Sequence, residues 1–195
     1  MDDIFSPLRL HIEKRVHLED NEFSECSKYF TYKKLKKKQF FLHEGEVCRY
    51  IGFVVSGCLR VYTIDHLANE HIMQFGVEDW WVSDMNSYLS GEPSVYNIDA
   101  LHDSELLILD KNNRENMLFA VPKMERFFRL LLEANYIATH SRLNDALSTS
   151  AEERYLKFIK NYPSLFEKIP QHYIASYLGI TPQSLSRIRK ELTSK

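Results

Sequence analysis

The sequence predicts an α+β chain: an antiparallel β-roll of double-stranded jelly-roll type, one long helix, and a small C-terminal helical unit built on a helix-turn-helix. Three observations carry this. From Gln39 to Leu109 short β-branched and aromatic runs alternate with turn residues at close intervals, as in small antiparallel barrels. After Asp110 the apolar residues recur with a helical period. Near the C-terminal end, "IPQHYIASYLGITPQSLSRIRKEL" carries the caps, turn glycine and apolar spacing of two short helices meeting at a corner.

The 195 residues suit two domains. No apolar run approaches the roughly 20 residues that span a bilayer, and "MDDIFSPLRLHIEKRV" lacks the basic and apolar regions of a signal peptide. A cytoplasmic protein with no membrane partner is expected. Cys26, Cys48 and Cys58 are far apart and form no C-x-x-C pair, which argues against a disulfide framework, a zinc site or an iron–sulfur cluster. No metal and no cofactor are expected. Charge is unevenly spread. Residues 151–195 hold eight Lys+Arg against four Asp+Glu, whereas residues 61–110 hold ten Asp+Glu and no Lys or Arg. A basic end on an acidic body is the pattern of a chain whose end meets nucleic acid.

Residues 1–32 read as a helical lead-in, with Leu8, Ile12 and Val16 on one face. The basic run in "YKKLKKKQFFLHEGE" suits a solvated strand edge leading into Phe40, Phe41 and Leu42 better than a nucleic-acid contact. "YIGFVVSGCLRVYTI" alternates Ile51, Phe53 and Val55 and bends at Ser56-Gly57, which predicts a hairpin. "HIMQFGVEDWW", "SVYNIDAL" and "ELLILD" continue the strands, with turns at Gly76 to Asp79, Ser90 to Pro93 and His102 to Ser104. In "DWWVSDM" strand neighbours face opposite sides, so one of Trp80 and Trp81 packs in the roll and the other is placed for a pocket or the helix contact, and core packing of both is the favoured reading. A short helix covers about 112–119, stopped before Pro122. Lys123 to Leu147 is one helix, whose stripe Phe127, Leu131, Ala134 and Ala138 is the expected dimer interface. "SAEE" at Ser150 to Glu153 is a capping box opening the next helix. The expected division is a roll over 1–122, a long helix over 123–147 and the helix-turn-helix unit over 150–195.

In the C-terminal motif Ala175 is the small residue at the helix contact and Gly179 ends the first helix. Ile174, Leu178, Ile180, Leu185 and Ile188 supply the buried side. Thr181 is a natural N-cap and Pro182 fits the first helical position. With Leu185, Ile188 and Leu192 inward, Gln183, Arg187 and Lys190 share the opposite face, flanked by Ser184 and Ser186. Gln and Arg suit bidentate contacts with adenine and guanine edges, while Lys and Ser commonly hold phosphates. The expected partner is double-stranded DNA.

A turn-rich β segment, a long helix, a capped helix and this helix-turn-helix, in that order, resemble the Crp/Fnr family of bacterial transcription regulators. "HEGE", "YIGFVVSGCLRVY" and above all "LGITPQSLSRIRKEL" carry the resemblance. It implies a cyclic-nucleotide-binding-type roll as sensor, dimerisation through Lys123 to Leu147 and recognition of DNA by Pro182 to Leu192 in a homodimer. The family positions that touch bases match Pro182, Gln183 and Arg187, and only Arg187 keeps the usual type. The family's Gly-Glu pair for the ribose and its Arg for the cyclic phosphate fall at Ser83-Asp84 and at Val95-Tyr96-Asn97, where no cation stands. A bound phosphate normally takes a bidentate Arg, so no cyclic nucleotide is expected here. A neutral or cationic small molecule near Asp84, Tyr88, Tyr96 and Asn97 suits the composition better, as does a roll kept as a structural platform. The short "PSLFEKI" stretch leaves little room for the family's β-hairpin wing. Two other classes compete with the regulator: a cupin-type metal-dependent enzyme, for which the H-x-H pair is missing, and a DNA-independent small-molecule-binding signalling dimer. No nucleophile motif, P-loop or G-x-G-x-x-G occurs, so no enzyme is expected.

Overall fold

The computed structural model describes residues 4–193. Helices α1 (Ser6–Glu13) and α2 (Asp20–Ser27) lead into strands β1 (Thr31–Leu35), β2 (Phe40–Leu42), β3 (Tyr50–Ser56), β4 (Cys58–Ile64), β5 (Glu70–Val77) and β6 (Trp81–Val82). Helix α3 (Met85–Ser90) interrupts the roll before β7 (Asn97–Ala100) and β8 (Ser104–Asp110). Then follow α4 (Lys111–Ala120), α5 (Lys123–Ser148), α6 (Ala151–Asn161), α7 (Pro163–Lys168), α8 (Gln171–Tyr177) and α9 (Pro182–Thr193). The strands form two antiparallel four-stranded sheets, ordered β1-β8-β3-β6 and β2-β7-β4-β5.

The bend at Ser56-Gly57 is not the hairpin that the alternation predicts. β3 pairs with β6 and β8, and β4 with β5 and β7, so the chain crosses from one sheet to the other there. Gly57 takes φ +99°, and a Cβ on it would lie 2.3 Å from Ser104 Oγ. The glycine therefore serves a corner pressed onto the β7–β8 turn, a demand that local alternation does not distinguish from a hairpin. The hairpin is β4–β5, whose turn is held by Asp65 accepting from the Leu67 and Asn69 amides at 2.9 Å each. The lysine run lies along β1, an edge strand, with Lys34 beside Glu105 at 3.2 Å and Lys36 beside Asp103 at 2.9 Å. Charged edges of this kind block strand-to-strand association.

Two apolar cores divide the molecule. One fills the roll and takes in Leu8 and Ile12 of α1, Phe23 of α2, Met117 of α4 and Met124, Phe127 and Phe128 of α5. Trp81 belongs to it, tilted against Phe53 at 5.5 Å and edge-on to Phe128 at 5.7 Å. Alternation along β4 creates the other core: Leu59 and Val61 face the roll, while Cys58 and Tyr62 face out. That outer face, with Ile72, Phe75 and Val77 of β5, packs against Tyr155, Phe158, Leu165, Ile174 and Ile188 of the C-terminal helices. Trp80 joins this second core, edge-to-face with Tyr162 at 5.4 Å. The adjacent tryptophans thus serve opposite sides of the sheet. Among the described residues no helix is long and apolar enough to cross a membrane.

Candidate nucleic-acid interface and the cassette of the roll

Helices α8 and α9 meet at a tight corner. Ala175 is fully buried at the contact, Gly179 takes φ +67°, and the Ile180 amide reaches back to the Ala175 carbonyl at 3.0 Å. The Thr181 hydroxyl accepts the Ser184 amide at 3.1 Å and donates to Ser184 Oγ at 2.9 Å, which starts α9 one residue before Pro182. Leu185 and Ile188 are buried, whereas Thr181, Pro182, Gln183, Ser186, Arg187 and Lys190 are exposed and Ser184 is half-buried. Six of the seven side chains expected at DNA therefore lie on open surface, while Ser184 is engaged in the cap.

Two further arginines, whose roles have no local sequence signal, shape the unit. Arg154, in the first turn of α6, donates to the Leu178 carbonyl at 3.1 Å and to the Thr149 carbonyl at 2.6 Å, tying the end of α8 to the capping box at Ser150. Arg189 lies over the Phe166 ring at 5.3 Å, so this basic residue of α9 is turned toward α7. The place of a wing is taken by helix α7, and among the described residues no strand follows β8.

In the roll, the residues expected around an effector are drawn into the protein's own network. Asp84 is 4% exposed and caps α3, accepting the Asn86 and Ser87 amides at 3.0 and 3.2 Å and the Ser94 hydroxyl at 2.7 Å. Ser87 receives the Cys48 amide at 2.9 Å and donates to the Glu92 carbonyl at 2.6 Å. Asn97 turns to the "HEGE" turn, accepting the Glu44 amide at 3.1 Å. Tyr96 is half-buried, and Tyr88 is buried with its hydroxyl unpartnered; burial pushes that phenol well above the ordinary tyrosine range, with Arg114 opposing. A groove of about 410 Å³ lies between α4 and α5, lined by Arg114, Leu118, Phe128 and Leu132 among others.

Lys111, the first residue of α4, donates its ammonium to the Leu89 carbonyl at the end of α3 at 2.8 Å. The sheet also holds a cation just outside the acidic stretch. Arg60 is 6% exposed, donates to Asp99 at 2.8 and 2.9 Å and to Glu70 at 3.2 Å, and lies between the rings of Tyr62 (4.0 Å) and Tyr173 (4.5 Å). Burial works against its charge, and the two carboxylates outweigh that and keep the guanidinium protonated. It shares the outward face of β4 with Cys58 and Tyr62, away from the cassette. Among the described residues no group of three His, Cys, Asp or Glu is placed to hold a metal ion.

The dimer stripe expected on α5 needs correction. Phe127 is fully buried in its own roll and closed to a partner, and Leu131 is half-buried against the same core. Ala134 and Ala138, further along the same side of the helix, are exposed, so that end of the expected stripe stays open to a partner. The open large apolar side chains of α5 are Leu132, Tyr136, Ile137, Leu143 and Leu147, and all but Ile137 share one side, spaced four, seven and four residues apart. Leu132 lies about 140° around the helix from Phe127 at 100° per residue.

Together these features define a class: an antiparallel roll joined by one long helix to a helix-turn-helix with a polar outer face. Residues 32–120 match the family model of the cyclic nucleotide-binding domain. No curated protein matches the chain as a relative. Among solved structures it is similar to FixK2 from Bradyrhizobium japonicum, at 17% identity and TM-score 0.71 over 85% of each chain. It is also similar to the Thermus thermophilus Catabolite Activator Protein, at 19% identity and TM-score 0.59 over 98% of this chain and 86% of that one. A putative transcriptional regulator of the Crp/Fnr family from Eubacterium rectale matches at 15% identity and TM-score 0.66, over 91% of this chain and 84% of that one. The chain has the Crp/Fnr fold, as its motifs suggest.

Proposed function

We propose that the protein is a homodimeric, sequence-specific DNA-binding transcription regulator of Crp/Fnr type, with α9 as recognition helix. The observation that carries this is the sorting of α9: Leu185 and Ile188 inside, Gln183, Arg187 and Lys190 outside, on a unit with an excess of basic residues. The fold shared with regulators supports the reading. The two α9 helices of a dimer would enter successive major grooves, with half-sites about one helical turn apart. The roll acts as a platform whose cassette is closed by Asp84 and Ser94, or as a sensor of a neutral or cationic small molecule.

Selection of binding sites from random DNA with the purified protein is the test. A two-fold-related motif is expected. Arg187→Ala should weaken binding by about 1–3 kcal/mol per contact and relax preference at one position of each half-site. A selected operator bound equally well by the variant would overturn the assignment of α9.

A further inference from the structure

Helix α8 is fastened to the exposed edge of β5 by contacts that the DNA-facing side does not use. Ser176 of α8 accepts the Ile72 amide and donates to the Glu70 carbonyl, both at 2.9 Å, so one hydroxyl fills the place of a missing neighbouring strand. Beside it, Arg60 is gripped by Asp99 and Glu70, and Tyr62 covers one face of its guanidinium. All four belong to the roll, and the other face is covered by Tyr173 from α8. The guanidinium and its carboxylates therefore form a flat platform complete within the roll. Docking α8 onto it moves no charge and rearranges no ion pair.

We infer that Arg60 and Tyr173, with Ser176, are positioning residues that fix the orientation of the recognition helix relative to the roll. The angle of α9 follows from α8 through the Ala175 contact and the Gly179 turn. The seam opens if Tyr173 leaves the platform: the ring contact is lost and the Ile72 amide returns to water, while the ion pairs of Arg60 remain. A chain with the seam open presents α9 at no fixed angle, and its affinity for an operator falls in proportion to the docked fraction. The orienting role rests on the DNA-binding reading above; the seam itself does not.

The test is hydrogen exchange of the full chain, read at Ile72 and at Leu107, together with operator binding. Leu107 lies in β8 between partners Tyr32 and Phe53 and reports global opening. Tyr173→Ala should raise exchange at Ile72 by about tenfold or more with Leu107 unchanged, and lower operator affinity by the fraction undocked. Tyr173→Phe, which keeps the ring, should restore both. If Tyr173→Ala speeds both amides because the chain unfolds, Tyr173→Leu removes the π face with less loss of volume and is read in the same way. Exchange at Ile72 that stays at the wild-type rate in the Ala and Leu variants would overturn the seam. Full operator affinity in a chain whose Ile72 amide exchanges freely would overturn the orienting role. Absence of any operator for the wild-type chain would defeat the regulator reading and with it the orienting role, and exchange would still decide the seam.

Discussion

Single side chains decide what the roll can bind and how it answers to acid. The sequence shows that residues 61–110 lack a cation, and the structure adds that Asp84 is spent on α3 and Ser94. A cyclic phosphate entering there would have to displace those bonds and find no guanidinium, so titration calorimetry with cyclic AMP and cyclic GMP is expected to show no binding tighter than about ten micromolar, or −7 kcal/mol. Stoichiometric binding at that level would refute the closed cassette. Arg60 escaped the sequence reading because its role depends on strand register, which sets it opposite Asp99 on β7. His11 escaped for the same kind of reason. Its Nδ1 faces Asp79 at 2.8 Å, its Nε2 accepts the Trp81 indole N–H at 3.2 Å, and burial pushes its pKa down. The neutral ring is therefore favoured in the folded state, and its stabilisation is complete above the ordinary histidine pKa of about 6.5. It is lost as pH falls from there through the lowered folded value. Thermal unfolding should show a falling Tm between about pH 7 and 5 that His11→Asn flattens. An equally steep fall in the variant would assign the effect elsewhere; Asp79, whose pKa is also lowered, acts only at more acid pH.

At the scale of elements, the helices with caps were legible and the sheet partners were not. Pro122, the capping box at Ser150 and Gly179 each mark a boundary by local chemistry, and the long helix, α6 and α8 begin or end there. Which strand pairs with which depends on contacts distant in sequence, so the corner at Gly57 read as a hairpin. Phe127 of α5 read as a dimer contact because an apolar stripe has the same spacing whether it meets its own roll or a second chain. Two substitutions separate these faces. Phe127→Ala removes a fully buried ring and should cost about 3–5 kcal/mol of stability whatever the assembly state. Leu143→Glu alters a side chain 56% exposed in the single chain, so it should leave the fold intact and shift sedimentation from dimer to monomer. A variant that sediments as the wild type does would remove the open stripe of α5 from the dimer interface.

For the whole molecule, the second core bears on whether roll and helix-turn-helix are separate bodies. Composition divides the chain near Ser150, where the acidic stretch gives way to the basic one. Packing divides it differently, since Cys58, Tyr62, Ile72, Phe75 and Val77 of the roll share a buried cluster with Tyr155, Phe158, Ile174, Leu185 and Ile188. Removing the C-terminal helices would uncover an apolar face on β4–β5, and removing the roll would strip the cover from the nine buried residues that the C-terminal part supplies. Each part therefore stabilises the other, and cooperative unfolding follows when the coupling is comparable with the stability of either part alone. Calorimetry of the full chain should give one transition, with calorimetric and van't Hoff enthalpies equal. Phe75→Ala, a change in the roll, should lower the temperature at which the C-terminal helices melt, because its ring packs against Tyr177 with centroids 5.4 Å apart. Two resolved transitions, with the later-melting part insensitive to Phe75→Ala, would show that the shared core couples the units too weakly to act as one.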